Sequence, residues 1–389
     1  MLLLKNGTIK TMAGPDLANA DLLIGDDGKI AAVGQDLTCP EGAEIVRLDG
    51  ALVSPGLVEA HCHVGLAEEI NGAAGNDTNE CSEPITPEMR GIDGFNPQDP
   101  GVAAALRAGV TTACAGPGSA NVIGGTFDVY KLTGVSADEM CIRRDMAMKV
   151  ALGENPKNCF GSMKKAPYTR MGIAALLRTT LRRTQLYVEQ KAHARETGAP
   201  QPYDPKLEAM IPVIEGRIPL KVHAHRADDI LTAIRIAREF GLRLTLDHCS
   251  DGHLIIPQLL DFGAPALVGP TMMRKTKFES TNKDFTTPAR LTAAGVKVAI
   301  ITDAPIIPLY CLPICAGMAV DGGLPEQEAW KAVTINPAEI LGVADRVGSL
   351  EPGKDADVVV WRGNPITGVH YRAALVIVDG KVVYRDQEA

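Results

Sequence analysis

His61 and His63 sit one residue apart at the end of the apolar run GLVEAHCHV, residues 56–64. Side chains alternate along a strand, so both imidazoles leave the same face and Cys62 between them leaves the other. The pattern recurs downstream. His223 and His225 lie at the end of IPLKVHAH, His248 ends LRLTLDH, Asp303 ends KVAIITD, and Lys149 lies in MAMKVALG. Imidazoles and a carboxylate brought to one place fit Zn²⁺ or another borderline divalent metal. Taken singly, His248 reads as a hydrogen-bonded polar residue and Asp303 as a helix N-cap. The joint pattern decides for a metal, because the chain holds eight histidines and five of them fall at the ends of apolar runs. His193, His253 and His370 read as ordinary surface residues.

Lys149 is the odd member. A lysine pointing into a core is costly unless it is paired or modified. Carboxylation of its amine by CO₂ would give N6-carboxylysine, a carboxylate able to bridge two metals. The competing readings are a plain lysine paired with Glu154 or Asp303, and Glu154, in LGENP, as the ligand in its place.

These residues need strands that deliver them to one rim. Seven strand-like runs lie between residues 56 and 345: GLVEAHCHV, GVTTACAG, AMKVALG, IPLKVHAH, LRLTLDHC, PALVGPTMM and KVAIITDAP. Helical patterns separate them, among them PQDPGVAAALRAG, IAALLRTTLRRTQLYVEQKAHARE and ADDILTAIRIAREFG. Repeated βα units build a parallel sheet with helices outside, and this length suits an α/β fold of the (β/α)8 TIM-barrel type, whose sites form at the C-terminal strand ends. An open doubly wound sheet is the alternative, but no GxGxxG follows a first strand. Residues 1–55 and 346–389 read instead as short strands with turns at Asn6-Gly7, Asp27-Gly28 and Asp379-Gly380. They are expected to pair as a small β-sandwich lobe beside a barrel of residues 56–345.

The bulk numbers narrow the class. The chain has 389 residues, 46% hydrophobic and 22% charged, with a formal net charge of -8. No basic face for nucleic acid is implied, and no run of about twenty apolar residues implies a membrane span. The nine cysteines follow no repeating frame, which fits reduced thiols rather than a disulfide scaffold. MLLLKNGTIKTM lacks the basic and long apolar regions of a signal peptide, so the expected location is cytoplasmic. The expected partner is a small-molecule substrate, and a homo-oligomer is the base-rate expectation for assembly.

The motifs GLVEAHCHV, MKVALG, VHAH, LDH and ITDAP, with DGALVSPGLVEAHCH before them and TINPAEILGVADRVGSLEPGKDADVVVW after them, resemble the amidohydrolase superfamily along almost the whole chain. GENPK, residues 153–157, resembles a marker of its imidazolonepropionase-like group. The resemblance implies His61 and His63 as ligands of one metal with Asp303, His223 and His248 as ligands of a second, and Lys149 as the carboxylated bridge. It implies Asp303 as the group that takes a proton from the metal-bound water. The implied reaction is hydrolysis of a C–N bond in an amide, cyclic amide or dipeptide-like substrate. The metal lowers the pKa of water from about 15.7 toward about 7, and Asp303 acts as general base and then acid. Two other functions remain open: a hydrolytic deaminase on the same scaffold, disfavoured by His225 and Lys149, and a non-catalytic barrel acting in binding or assembly. Rim loops 65–80, 123–132, 153–158 and 270–280 are expected to meet the substrate. His225, Tyr130 and Arg274 are the named contacts, with Lys131, Arg226 and Lys275 as further cations for a substrate carboxylate.

Overall fold

The computed structural model describes residues 1–70 and 72–387. Asn71, within rim loop 65–80, and Glu388 and Ala389, at the end of the C-terminal segment, lie outside the described residues.

The two ends of the chain share one hydrogen-bonded sheet. Its strands are β1 (Leu2–Ile9), β2 (Leu17–Ile24), β3 (Ile30–Gly34), β4 (Glu44–Arg47) and β5 (Leu52–Pro55) from the N-terminal segment. Far along the chain the C-terminal segment adds β14 (Val358–Arg362), β15 (Arg372–Val378) and β16 (Lys381–Arg385). The order is β16-β15-β14-β5-β1-β2-β3, with β4 also on β1. Antiparallel pairing of β5 with β14 sets Val53 opposite Val360 and joins the segments. Leu4, Leu22, Val53, Val358 and Ile377 fill the core of this sheet. Asp27-Gly28 and Asp379-Gly380 lie between paired strands, as expected. Asn6-Gly7 does not: it lies within β1, where the register with β2 shifts between Leu4 and Gly7. Asn6 takes a positive φ of 64°, and its N–H donates to Asp21 Oδ1 at 2.8 Å, so the dipeptide makes a bulge and not a hairpin turn.

The second sheet also has eight strands: β6 (Leu57–Cys62), β7 (Val110–Ala115), β8 (Ile123–Lys131), β9 (Cys141–Ala151), β10 (Leu220–Ala224), β11 (Leu244–His248), β12 (Ala266–Val268) and β13 (Val298–Ile300). They follow in chain order across the sheet, and β13 comes back beside β6 in a nearly closed barrel. Helices cover the outside. In Ala227–Phe240, Ile230, Ala233, Ile234 and Ala237 are buried at helical spacing, Asp228 and Asp229 occupy the first turn, and Gly241 ends the helix at φ 67°.

The barrel departs from the regular βα repeat in one place. IGGTFDVYKL, expected as a rim loop, forms β8, which runs antiparallel to both β7 and β9. Only residues 116–122 separate β7 from β8. A parallel crossover needs a dozen or more residues, whereas an antiparallel return needs few.

The seam between β13 and β6 is closed largely by a side chain. Glu59 is fully buried. Its Oε2 accepts from Thr302 N at 2.8 Å and Thr302 Oγ1 at 2.7 Å, and its Oε1 accepts from His61 N at 2.9 Å. His63 N adds a backbone bond to Ala304 O at 2.7 Å.

A second buried charge joins the sheets. Lys131 on β8 donates to Asp355 Oδ2 at 2.7 Å, to Asp357 Oδ1 at 3.0 Å and to Asp379. The expectation that Lys131 binds a substrate carboxylate is therefore corrected, because its ammonium is taken up by the junction with the terminal sheet. Among the described residues no helix is long and apolar enough to cross a membrane. Lys131→Met removes one partner of a buried charge cluster and is expected to destabilise the fold by about 3–5 kcal/mol, measured by equilibrium urea denaturation. A loss below about 1 kcal/mol would contradict this account of the junction.

Candidate metal centre

The C-terminal ends of the barrel strands deliver the ionisable residues to one place. His61 belongs to β6 and His63 follows it, Lys149 lies near the end of β9, His223 lies in β10 with His225 just beyond, and His248 closes β11. Asp303 follows β13. Two groups of ligand atoms lie within 4.8 Å of one another in each case: His61, His63 and Asp303, and His223, His225 and His248. Ring centroids of His61 and His248 are 5.2 Å apart and those of His223 and His248 4.5 Å, so the groups are contiguous. Strand alternation would turn His248 away from the barrel interior if Asp247 faces in. A φ of 74° at His248 breaks the alternation and brings both side chains inward. Asp303 leaves its strand with a φ of 55°. Cys62 faces the apolar packing, as alternation requires, with its Sγ 3.6 Å from Cys114 O.

The second nitrogen of each imidazole sorts the site. His63 Nδ1 meets Gly116 O at 2.8 Å and His248 Nδ1 meets Gly269 O at 2.8 Å. A carbonyl can only accept, so each Nδ1 carries the proton and each Nε2 keeps a lone pair for the centre. Gly269 can offer its carbonyl there because it has no side chain: its φ is 152°, and a Cβ would lie 2.0 Å from Ile301 O. His61 Nδ1 faces Asp247 Oδ2 at 2.9 Å, again leaving Nε2 inward, 3.4 Å from Asp303 Oδ1. His63 Nε2 is 3.3 Å from the same oxygen. His223 is turned the other way. Its Nε2 lies 3.3 Å from Asn155 Nδ2 and 3.6 Å from Glu279 Oε1. Its buried Nδ1 has no hydrogen-bond partner among the described residues.

Burial favours the neutral form of His61, His223, His225 and His248, the form a ligand must have. His61 is pushed down to about 4, by burial first and then by the Lys149 ammonium. His225 is pushed down to about 3 by burial and by His223, and burial lowers His223 and, strongly, His248. Burial alone would raise the Asp303 carboxyl, but His248, His61 and His63 around it outweigh that and hold it well below the usual range. Lys149 is fully buried with Nζ 3.3 Å from His61 Nε2, and burial lowers its ammonium to about 8.

The expected site residues divide as follows. Lys149 lies inside the centre and is not paired with Glu154 or Asp303 within 4 Å. Glu154 is directed elsewhere: its Oε1 accepts from Glu279 N at 2.9 Å while its own N donates to Glu279 Oε2 at 2.9 Å. Asp303, His63, His223, His225 and Arg274 line a cavity of about 480 Å³ over the centre. Tyr130 does not line it, which corrects its assignment as a substrate contact. It lies in the core, stacked on Phe95 at 4.0 Å, with its hydroxyl 3.4 Å from Asp128 Oδ2. Arg226 pairs with Asp228 at 2.8 Å away from that cavity. His225 groups with His223 and His248, a ligand position beyond the substrate contact expected of it.

Sequence reasoning passed over Asp247, Lys221, Glu59, Asn155 and Glu279. Asp247 is buried between His61 and Lys221, whose Nζ lies 3.4 Å from Asp247 Oδ1 and donates to Ala60 O at 2.9 Å. Burial would raise this carboxyl, and the Lys221 and His61 contacts reverse the shift to well below its usual range. The available signal was a charge inside an apolar run two residues from a histidine: Glu59 before His61, Lys221 before His223.

Comparison with known proteins agrees with this geometry. The model of the amidohydrolase family matches residues 210–383. The crystal structure of an amidohydrolase from Thermotoga maritima MSB8 superposes with a TM-score of 0.96 at 40% identity, covering 99% of this chain and 100% of that one. The chain belongs to the amidohydrolase family. The chain is 41% identical over 105 residues to the imidazolonepropionase of Geobacillus kaustophilus, 25% of each chain. It is also 30% identical over 375 residues to the amidohydrolase tasK of Hapsidospora irregularis, 89% of this chain and 38% of that protein. The chain thus spans about two fifths or less of the length of these two curated relatives. A histidine's ability to hold a metal depends on the group that orients its second nitrogen, and Asp247 stands at that place beside His61. Asp247→Asn is expected to weaken metal binding by about 10–100-fold, measured by competition with a chromogenic chelator. Unchanged affinity would show that His61 is oriented without it.

Proposed function

We propose that the chain is a metal-dependent hydrolase of an amide-type C–N bond. The observation that carries this reading is the sorting of imidazole nitrogens. His63 and His248 have Nδ1 held by carbonyls with Nε2 turned inward. His61 turns Nε2 inward toward Lys149 Nζ and Asp303, with Nδ1 2.9 Å from Asp247 Oδ2 outside hydrogen-bond geometry. His223 has a buried Nδ1 without a partner among the described residues. A core histidine satisfied for packing would not leave that atom bare. The donors fit one or two divalent cations, with zinc the best match to nitrogen and carboxylate ligands at borderline softness. In this reading His61, His63 and Asp303 hold one ion, and His223 and His248 hold the other, with His225 beside them. A bound divalent cation supplies Lewis acidity, toward water and toward the substrate carbonyl.

Lys149 is the proposed bridge. An amine with its pKa near 8 is partly unprotonated at neutral pH. It can attack CO₂, forming the N–C bond of N6-carboxylysine and releasing a proton. Glu154, tied to the backbone at Glu279, is the poorer ligand. Asp303, held as a carboxylate, takes a proton from the attacking water and returns it to the leaving nitrogen. Its contacts with both His61 and His63 fix the carboxylate at the point where ligand and base roles meet. The same reading divides the chain into a catalytic barrel, 56–345, and a β-sandwich lobe, 1–55 with 346–389. It takes a small-molecule substrate in the cytoplasm, with homo-oligomers permitted and no nucleic acid or membrane partner.

Metal-loaded protein assayed against N-acyl amino acids, dipeptides, hydantoins and lactams is expected to release amine or open a ring. Elemental analysis is expected to find about two metals per chain. Asp303→Asn is expected to lower kcat by about 10²–10⁴-fold with metal content kept near wild type. Full activity in that variant would remove Asp303 from the proton transfer, and a chain that takes up no metal would remove the reading as a whole.

A further inference from the structure

The loop between β12 and the helix Thr287–Ala293 carries Arg274, Lys275, Lys277 and Lys283 within a chain of net charge -8. Arg274, Lys277 and Lys283 line the cavity that also holds Asp303. Lys277 is already engaged, donating to Asn155 Oδ1 at 2.6 Å and lying 3.6 Å from Glu279 Oε1. Lys283 differs. The residue is only 8% exposed, yet among the described residues its ammonium has no hydrogen bond and no carboxylate within 4 Å. Its position is built: Lys283 N donates to Ser280 O at 3.2 Å, and neighbouring Asn282 is anchored to Asp251 Oδ1 at 3.1 Å. Burial and the nearby Lys275 lower its pKa, while Asp303 opposes the shift from across the same space. A largely buried lysine whose ammonium meets no protein partner, only the cavity it lines, is less well solvated than a surface one. An anionic group on the ligand would relieve it, and a single ammonium at the cavity wall matches a single negative charge. Arg274, exposed at the mouth and likewise without a partner among the described residues, offers a planar fork to the same group.

We infer that Lys283, assisted by Arg274, receives the carboxylate of an N-acyl amino acid or similar monoanion whose scissile bond lies over Asp303. This deepens the hydrolase reading and rests on it for the identity of that bond.

The test separates the two. Methanesulfonyl derivatives of leucine, methionine, phenylalanine and glutamine, which lack a hydrolysable amide at nitrogen, are titrated calorimetrically into the holoenzyme beside their carboxamides. At least one carboxylate is expected to bind about tenfold or more tightly than its carboxamide. Lys283→Met is expected to erase that preference with metal content unchanged, and Lys283→Arg to retain part of it. In wild type, the carboxylate and not the carboxamide is expected to protect Lys283 from acetic anhydride, read by peptide mass spectrometry; this arm needs no variant to fold. Equal binding of the two series, no binding of either, a preference that survives Lys283→Met, or no protection overturns the inference. Lys283-dependent binding without hydrolysis of any N-acyl compound would leave it standing and sink the hydrolase reading instead.

Discussion

Asp247 is a carboxylate sealed inside the barrel between the Lys221 ammonium and the His61 ring, and the arrangement of the centre depends on that contact. A lone buried charge would unfold the barrel floor or neutralise itself. Flanked on both sides, the carboxylate stays ionised and stands 2.9 Å from His61 Nδ1, with Nε2 facing inward. His63 and His248 obtain the same result from backbone carbonyls. The barrel thus holds His63 and His248 in one tautomer and orients His61 in the same sense before any ligand arrives, which is what a preorganised site requires.

The surroundings follow from that constraint. Phe127 on the antiparallel strand β8 stacks on His61 with ring centroids 5.2 Å apart, and the Lys149 and Lys221 ammonium groups stand 5.5 and 5.4 Å from its ring. Both ammonium groups lie within the range at which an aromatic ring attracts a cation. β8 therefore supplies part of the wall around the buried charges of the barrel. Its last residue, Lys131, ties the same strand to the terminal sheet through Asp355 and Asp357.

Much of this was legible in the amino-acid order, and the omissions have physical reasons. His61, His63, His223, His248 and Asp303 stand out because an ionisable group at the end of an apolar run violates the usual rule of burial. The seven parallel strands were visible as those runs. β8 was not, because GG before TFDVYK reads as loop and nothing local shows that a seven-residue return will make its strand antiparallel. Tyr130 and Lys131 were placed at the cavity for the same reason: once the strand is taken for a loop, the direction of its side chains is lost. Glu154 and Lys149 both lie near the rim in sequence. Only the reciprocal bonds between Glu154 and Glu279, far along the chain, show which one turns inward. Lys283 carries no local signal at all, since its isolation is a property of every residue that fails to approach it.

The Glu59 seam also sets an order in time. Its partner Thr302 lies 243 residues downstream, and Asp303 follows immediately. On a ribosome, β6 and its two histidines emerge long before the strand that completes the ring. Until then Glu59 has no lock and the first ligand group has no carboxylate. The first group is consequently a product of the finished chain: its carboxylate takes its place beside His61 and His63 only when the last barrel strand closes against the first.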